Sequence, residues 1–249
     1  MRLALVLALL LLAFAARAET PVSFDAVTTP PATVRGLIAR PSGAGPFPAV
    51  VLLHSCLGLP SNRQALEDVL THAGYVALFV DDFSTRGLTQ TCTVEFPAAL
   101  GDALGAFDFL SRQSFVDKSR IAAVGSSQGG DTALRIATSP RHGFRAAAAF
   151  YPPCANLEGE KLTIPTLILV GERDNVTPAA DCQAFAEGQR GKAKLVVYPG
   201  AHHVFDDPAF AGGAERFGMH LQYDRAAAET SRGELLRFLR AELGRAGDK

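Results

Sequence analysis

The sequence predicts an α/β fold with a doubly wound, mostly parallel sheet and helices on both faces. Short, continuous apolar runs recur along the chain, which is the pattern of strands that are buried on both sides. Segments with helical periodicity separate most of these runs, so successive strands are expected to lie parallel in one sheet. With 249 residues, the chain can form one large domain with a well-buried core.

The predicted strands begin with an antiparallel pair at 22–27 and 33–39. The buried runs after this pair are Ala49–His54, Tyr75–Val80, Arg120–Gly125, Ala146–Tyr151, Thr166–Gly171 and Ala193–Tyr198. Helical patterns occupy Arg63–Ala73, Pro97–Ser111, Gln128–Thr138, Ala179–Gln189 and a final segment from about Tyr223 to Leu243. The sequence contains no internal repeat and no low-complexity linker, so a single domain is predicted.

The first 18 residues have the organisation of a secretory signal peptide. Met1-Arg2 is a short basic start, residues 3–15 are almost wholly apolar, and Ala16-Arg17-Ala18 fits a cleavage site. The apolar run is shorter than the roughly 20 residues that span a bilayer. We therefore expect residues 1–18 to be removed. The mature domain, 19–249, is then exported to the periplasm or secreted, and it has no membrane attachment.

Composition argues against several classes of partner. The formal net charge is −1, and no cluster of lysine and arginine is long enough to follow a phosphate backbone, so nucleic acid is not an expected partner. His54, His72, His142 and His220 lack the spacing of metal ligands. We expect neither a metal nor an organic cofactor, and the sequence leaves the oligomeric state open.

The strongest functional signal is a Gly-x-Ser-x-Gly turn at 125–129. An apolar run ends in this turn and a helical pattern follows at once, which is the strand–turn–helix setting of a nucleophilic serine. The turn is tight enough to require small residues two positions before and after the serine. Gly125 and Gly129 meet that need, which selects Ser127 over Ser126 as the nucleophile.

Asp174 and His203 follow two later predicted strands. The chain order Ser127, Asp174, His203 is that of an α/β-hydrolase, and loops at the carboxyl ends of parallel strands converge at one edge. The histidine would take the serine proton while the aspartate fixes its tautomer. The N–H of Gln128 and one from the loop at 54–59 would stabilise the oxyanion.

Six segments resemble the dienelactone hydrolase family. They are Val51–Gly58, Asp82–Gly87, the Gly-x-Ser-x-Gly-Gly turn, Ala149–Pro152, Gly171–Asp174 and Gly200–Phe205, and the similarity extends from about residue 30 to the C-terminus. The family pattern places the catalytic histidine two residues before a phenylalanine, which implies His203 rather than His202. It also implies that the second oxyanion donor is the N–H of Cys56.

Three positions depart from the family pattern. The best-known members use a cysteine where this chain has Ser127, and a glutamate where it has Ser55. Arg86 corresponds to an arginine that binds a substrate carboxylate, which makes it a candidate substrate-binding residue. Four residues after the histidine, however, the family arginine is replaced by Asp207. An anionic dienelactone is therefore not the expected substrate.

The resemblance and the Ser–Asp–His order imply an exported serine hydrolase that cleaves a small carboxylic ester or lactone. Two alternatives remain at this stage. The scaffold could hydrolyse another acyl bond, such as an amide or a peptide, or it could be a secreted binding protein without catalytic activity.

The four cysteines are an even number in a chain expected to be exported, where disulfides persist. Four cysteines allow three connectivities, and spacing alone does not choose among them. Cys56 and Cys92 both lie in loops at the carboxyl edge of the predicted sheet, as do Cys154 and the helix start that carries Cys182. We therefore predict Cys56–Cys92 and Cys154–Cys182 bonds, the first holding the Cys56 donor in place.

Overall fold

The structure is a computed structural model that describes residues 19–244, apart from 97, 140 and 141. The predicted signal peptide, residues 1–18, lies outside the described residues. Among the residues that the structure describes, eight strands form one sheet in the order β1-β2-β4-β3-β5-β6-β7-β8. The strands are β1 Thr20–Asp25, β2 Thr33–Ala39, β3 Phe47–Leu53, β4 Val76–Asp81, β5 Val116–Ser126, β6 Ala146–Phe150, β7 Thr166–Gly171 and β8 Ala193–Tyr198.

The sheet is mostly parallel, which confirms the fold class predicted from the sequence. Strand β2 is antiparallel to its neighbours β1 and β4, and the remaining neighbours are parallel. Leu53 of β3 lies opposite both Val80 of β4 and Gly125 of β5. In the next pair of strands, Ser126 of β5 lies opposite Phe150 of β6. The carboxyl ends of β3, β5 and β6 are therefore level, and their loops leave from one edge.

Within the described part of the chain, five α-helices cover the sheet. They are α1 Arg63–His72, α2 Ala99–Ser111, α3 Gln128–Thr138, α4 Ala179–Glu187 and α5 Arg225–Leu243. α1 and α5 pack on one face, whereas α2, α3 and α4 pack on the other. None of the helices within the described part of the chain combines the length and apolarity needed to cross a membrane.

The core is divided by the sheet into two layers. In β3, Val50 and Leu52 face α1 and α5, whereas Val51 and Leu53 face α2 and α3. Every residue of β3 is buried. Because both faces of the sheet are covered, its central strands are apolar throughout, as the continuous runs in the sequence indicate.

A short hairpin lies beside the loop that follows β8, and the sequence patterns do not predict it. Its strands are β9 Ala214–Arg216 and β10 Met219–Leu221. Leu221 forms a β-bridge with His203, and the N–H of His220 donates to the Asn175 side chain at 3.3 Å. The hairpin therefore supports the loops of both Asp174 and His203.

Candidate active site

Ser127 occupies the turn between β5 and α3. Its backbone has φ 53° and ψ −112°, a strained conformation for a residue with a side chain. A Cβ atom at Gly125 would collide with the Gly129 carbonyl, and one at Gly129 would collide with the Leu53 carbonyl. These two glycines allow strand and helix to meet closely, so that Ser127 lies at the edge of the sheet.

The three residues singled out in the sequence lie together. His203 Nε2 is 3.0 Å from Ser127 Oγ, and His203 Nδ1 is 2.7 Å from Asp174 Oδ2. All three side chains are buried; Ser127 is the most exposed at 8%. A histidine bonded to a hydroxyl on one side and to a carboxylate on the other can accept the hydroxyl proton and hold the resulting charge.

Asp174 is held in its ionised form. Its burial opposes ionisation, but hydrogen bonding and charge from His203, together with the N–H groups of Thr177 and Val176, lower its pKa below the ordinary value. Those N–H groups donate to Oδ1 at 2.9 and 2.8 Å. The carboxylate is thus fixed in orientation as well as in charge.

Thr177 and Tyr151 support the histidine, and sequence reasoning missed both. Thr177 Oγ1 lies 2.9 Å from Asp174 Oδ2 and 3.1 Å from the Tyr151 carbonyl oxygen. The Tyr151 ring packs against His203 with the ring centroids 4.6 Å apart, and its hydroxyl donates to Asp206 at 2.7 Å. The Asp-x-x-Thr spacing is the local signal that could have indicated Thr177.

The loop after β3 forms a turn in which the Gly58 N–H donates to the Ser55 carbonyl at 3.0 Å. Cys56 is inside this turn, and Gln128 is the first residue of α3. Among the described residues, neither the Cys56 N–H nor the Gln128 N–H has a backbone acceptor. Both N–H groups are therefore available to a ligand, as the proposed oxyanion role requires.

Residues 91–92 connect Cys56 to Gln128, the two residues that carry these N–H groups. Cys56 and Cys92 form a disulfide, and the Thr91 N–H donates to the Cys56 carbonyl at 2.8 Å. The Thr91 hydroxyl donates to Gln128 Oε1 at 2.7 Å, and Thr91 is 2% exposed. The disulfide is the predicted one. Thr91 was not predicted from the sequence, because its two partners lie far from it along the chain.

Beneath this turn, His54 forms a second buried pair with Asp82. His54 Nε2 is 2.6 Å from Asp82 Oδ1, and Nδ1 is 2.7 Å from the Ser55 carbonyl oxygen. Burial disfavours a charged imidazole, yet the hydrogen bond and charge of Asp82 and the Ser55 carbonyl raise the His54 pKa overall. These two contacts connect the start of the turn to Asp82, the residue that follows β4.

Arg86 takes part in a network of structural contacts. Its guanidinium donates to Asp102 Oδ1 at 2.8 Å and to the Asp82 carbonyl at 2.5 Å. Asp102 is fully buried, and that burial raises its pKa to about 6 although Arg86 opposes the shift. These contacts hold Arg86 in a structural network, and its role in substrate binding stays a prediction.

Three further residues from the sequence analysis have other partners. The His202 ring packs edge-on against His220, with centroids 4.5 Å apart, whereas the adjacent His203 bonds to the serine. Cys154 and Cys182 form the second predicted disulfide, in the core layer beneath α4.

The fold and the Ser–His–Asp arrangement together define an α/β-hydrolase. The chain belongs to the dienelactone hydrolase family, because the profile of that family matches residues 34–243. The family assignment made from six sequence segments is therefore confirmed.

Other known proteins are similar to this chain. Cutinase 1 of Thermobifida cellulosilytica is 28% identical over 145 residues, which cover 58% of this chain and 55% of the cutinase. The chain spans about half the length of the first curated relatives that it matches.

Two solved structures share the fold. A dienelactone hydrolase-like promiscuous phosphotriesterase from metagenomic libraries superposes with a TM-score of 0.73 at 21% identity, covering 92% of this chain and 100% of the other. The propionate-bound esterase of Thermogutta terrifontis has a TM-score of 0.68 at 19% identity, with coverage of 94% and 98%. At these identities the comparison establishes the fold alone.

Proposed function

We propose that this protein is an exported serine hydrolase that cleaves a small carboxylic ester or lactone through an acyl-enzyme on Ser127. The observation that carries the proposal is the buried chain of contacts from Ser127 Oγ through both nitrogens of His203 to Asp174. It lies at the edge of the sheet where two backbone N–H groups without a backbone acceptor also lie.

Acylation begins when His203 Nε2 takes the proton of Ser127 Oγ and the oxygen bonds to the acyl carbon. The carbonyl electron pair moves to its oxygen, which accepts hydrogen bonds from the N–H groups of Cys56 and Gln128. Each such donor is worth about 10²–10³ in turnover in enzymes of this kind. Collapse of the intermediate breaks the bond to the leaving oxygen, which receives the proton from His203.

Deacylation repeats these steps with water. His203 removes a proton from a water molecule as its oxygen bonds to the acyl carbon, and collapse returns the Ser127 oxygen, which regains the proton. The products are a carboxylic acid and an alcohol, or a hydroxy acid from a lactone. Asp174 remains ionised throughout and stabilises the transient imidazolium.

Further support comes from the family and from the cysteines. A cutinase is among the relatives, and an esterase shares the fold. Both disulfides join loops or helix ends, and such bonds persist in oxidising compartments, which supports export. The proposed signal peptide at residues 1–18 is consistent with that route.

The test is covalent labelling with a fluorophosphonate, followed by peptide mapping, together with hydrolysis of p-nitrophenyl acetate. We expect the adduct on Ser127, and Ser127→Ala should lower turnover by roughly 10⁴–10⁶ with the fold intact by circular dichroism. Ser111→Ala, at the end of α2, is the matched control and should label and turn over normally.

The outcomes separate this proposal from its alternatives. An adduct on Ser126, or full activity in Ser127→Ala, would show that the wrong serine was chosen. No labelling at all would favour a binding protein. A panel of aryl esters, lactones and amides then decides between ester and amide hydrolysis, and faster cleavage of amides would replace the proposed substrate class.

A further inference from the structure

A cavity of about 280 Å³ lies between the sheet and two loops, on the face covered by α1 and α5. One loop, residues 55–62, carries the proposed oxyanion turn. The other, residues 204–210, follows His203. Two hydrogen bonds connect the loops across the cavity, from Asn62 to the Asp206 carbonyl at 3.0 Å and from Ser61 to Asp207 at 3.4 Å.

The cavity borders the proposed reacting centre. Ser55, Ser126 and Val204 line it, and they are the chain neighbours of Cys56, Ser127 and His203 respectively. Tyr151 also lines it, and its ring packs against the ring of His203. Ser127, His203 and Cys56 are not themselves lining residues, so an acyl group bonded to Ser127 would enter the cavity beyond its first atoms.

The cavity walls favour an apolar occupant. Strand side chains form one wall and helix side chains the opposite one; among the apolar residues are Leu52, Leu66, Phe79, Val124 and Leu235. Polar residues also line the cavity, Arg216 and Arg232 among them, and several bond to one another, as the Tyr151–Asp206 and Asn62–Asp206 contacts show. Transfer of methylene groups from water into such a site is favourable by roughly a factor of four in affinity for each group.

We propose that this cavity binds the acyl chain of the substrate, so that the preferred ester carries a straight, medium-length, apolar acyl group. The inference rests on the proposed function. At about 30 Å³ for each water-sized group, the volume accommodates about nine non-hydrogen atoms. The acyl group stays bonded to Ser127 after the alcohol has left, so a cleft lined by apolar side chains suits it better than it suits a group that must diffuse away.

The test uses two series of esters: p-nitrophenyl esters from acetate to dodecanoate, and acetate esters of alcohols of increasing length. In the acyl series, kcat/KM should rise by up to about fourfold with each methylene and stop rising near eight carbons. In the alcohol series it should change little. A flat acyl series, or a steeper alcohol series, would overturn the inference.

Substitutions locate the effect. Ala228 lies on α5 and is 2% exposed, and Ala65 is exposed on α1; both line the cavity. Ala228→Phe should lower the octanoate-to-acetate ratio of kcat/KM at least 30-fold. Ala65→Phe places the same ring at an exposed position, so it tests the cavity if Ala228→Phe fails to fold. Ala184→Phe, at an exposed position of α4 outside the cavity, is the control and should leave the ratio unchanged.

Failure of this inference is distinct from failure of the proposed function. If Ser127→Ala retains turnover, or if no ester in either series is hydrolysed, the proposed function is wrong. If acetate is hydrolysed through Ser127 while both cavity variants keep the wild-type ratio, only the assignment of the cavity is wrong.

Discussion

Removing either disulfide should lower stability by a similar amount, but only the loss of Cys56–Cys92 should lower turnover strongly. The bonded cysteines are 36 residues apart in Cys56–Cys92 and 28 apart in Cys154–Cys182. Loop-closure entropy gives a stabilisation of about 3.8 kcal/mol for the first and 3.6 kcal/mol for the second. Replacing either pair by serines should therefore lower the free energy of unfolding by nearly the same amount.

Turnover should respond to the first pair alone. The Cys56–Cys92 bond holds the turn that carries one proposed oxyanion donor, whereas Cys154–Cys182 lies in the core layer beneath α4. Loss of a whole oxyanion donor lowers kcat by about 10²–10³-fold. The Thr91 N–H still bonds to the Cys56 carbonyl at 2.8 Å, so the turn is loosened rather than lost. We expect kcat to fall about 10- to 100-fold in C56S/C92S and less than threefold in C154S/C182S.

The assay is hydrolysis of p-nitrophenyl acetate at a temperature where circular dichroism shows both variants to be folded, with urea unfolding for stability. Wild-type protein treated with a reductant that opens both bonds should match C56S/C92S in turnover before it unfolds. Equal losses in the two variants, or no loss in C56S/C92S, would refute the idea that this bond positions an oxyanion donor.

Further predictions concern the histidine pair, the triad carboxylate and a buried acid. His203→Ala should reduce turnover of p-nitrophenyl acetate at least 10³-fold and His202→Ala only a few-fold; equal losses would contradict the assignment. Asp174→Asn should cost about 10⁴ in kcat because it favours the wrong imidazole tautomer, and a loss below tenfold would contradict that role. Glu67 on α1 is 1% exposed, and burial with neighbouring Glu19 raises its pKa from 4.5 to about 8. The folded state then binds more protons than the unfolded one, so wild-type stability should fall as the pH rises from about 5 to 8, and Glu67→Gln should flatten that slope in urea titrations at several pH values.

Much of the fold follows from local sequence pattern. The buried runs predict the strands because their apolar residues serve two covered faces, and β2, β7 and β8 begin and end where predicted. The hairpin of β9 and β10 escapes detection because its three-residue strands are too short for an alternating pattern. Its position depends on pairing with the loop of His203, which is not encoded locally.

The candidate site likewise contains some residues that the local sequence identifies and others that it does not. Ser127 is identified by two glycines within a few residues of it, because the steric requirement of the turn is local. Thr91 acts through partners 35 and 37 residues away, so no spacing reveals it. Arg86 has a charged partner, Asp102, which is one of two acids in α2; the fold buries Asp102 and leaves Asp108 exposed, which the sequence does not indicate.

The loops around the cavity have a consequence for how the protein becomes active. Ser61 and Asp207 are 146 residues apart, and Ser127 and His203 are 76 apart. We expect contacts of such long range to form slowly, because the entropy of loop closure must be overcome first. A partly synthesised or partly folded chain thus has the nucleophile without its base. Hydrolysis of an ester is therefore a sensitive measure of the last step of folding, and it should return after the secondary structure during refolding from urea.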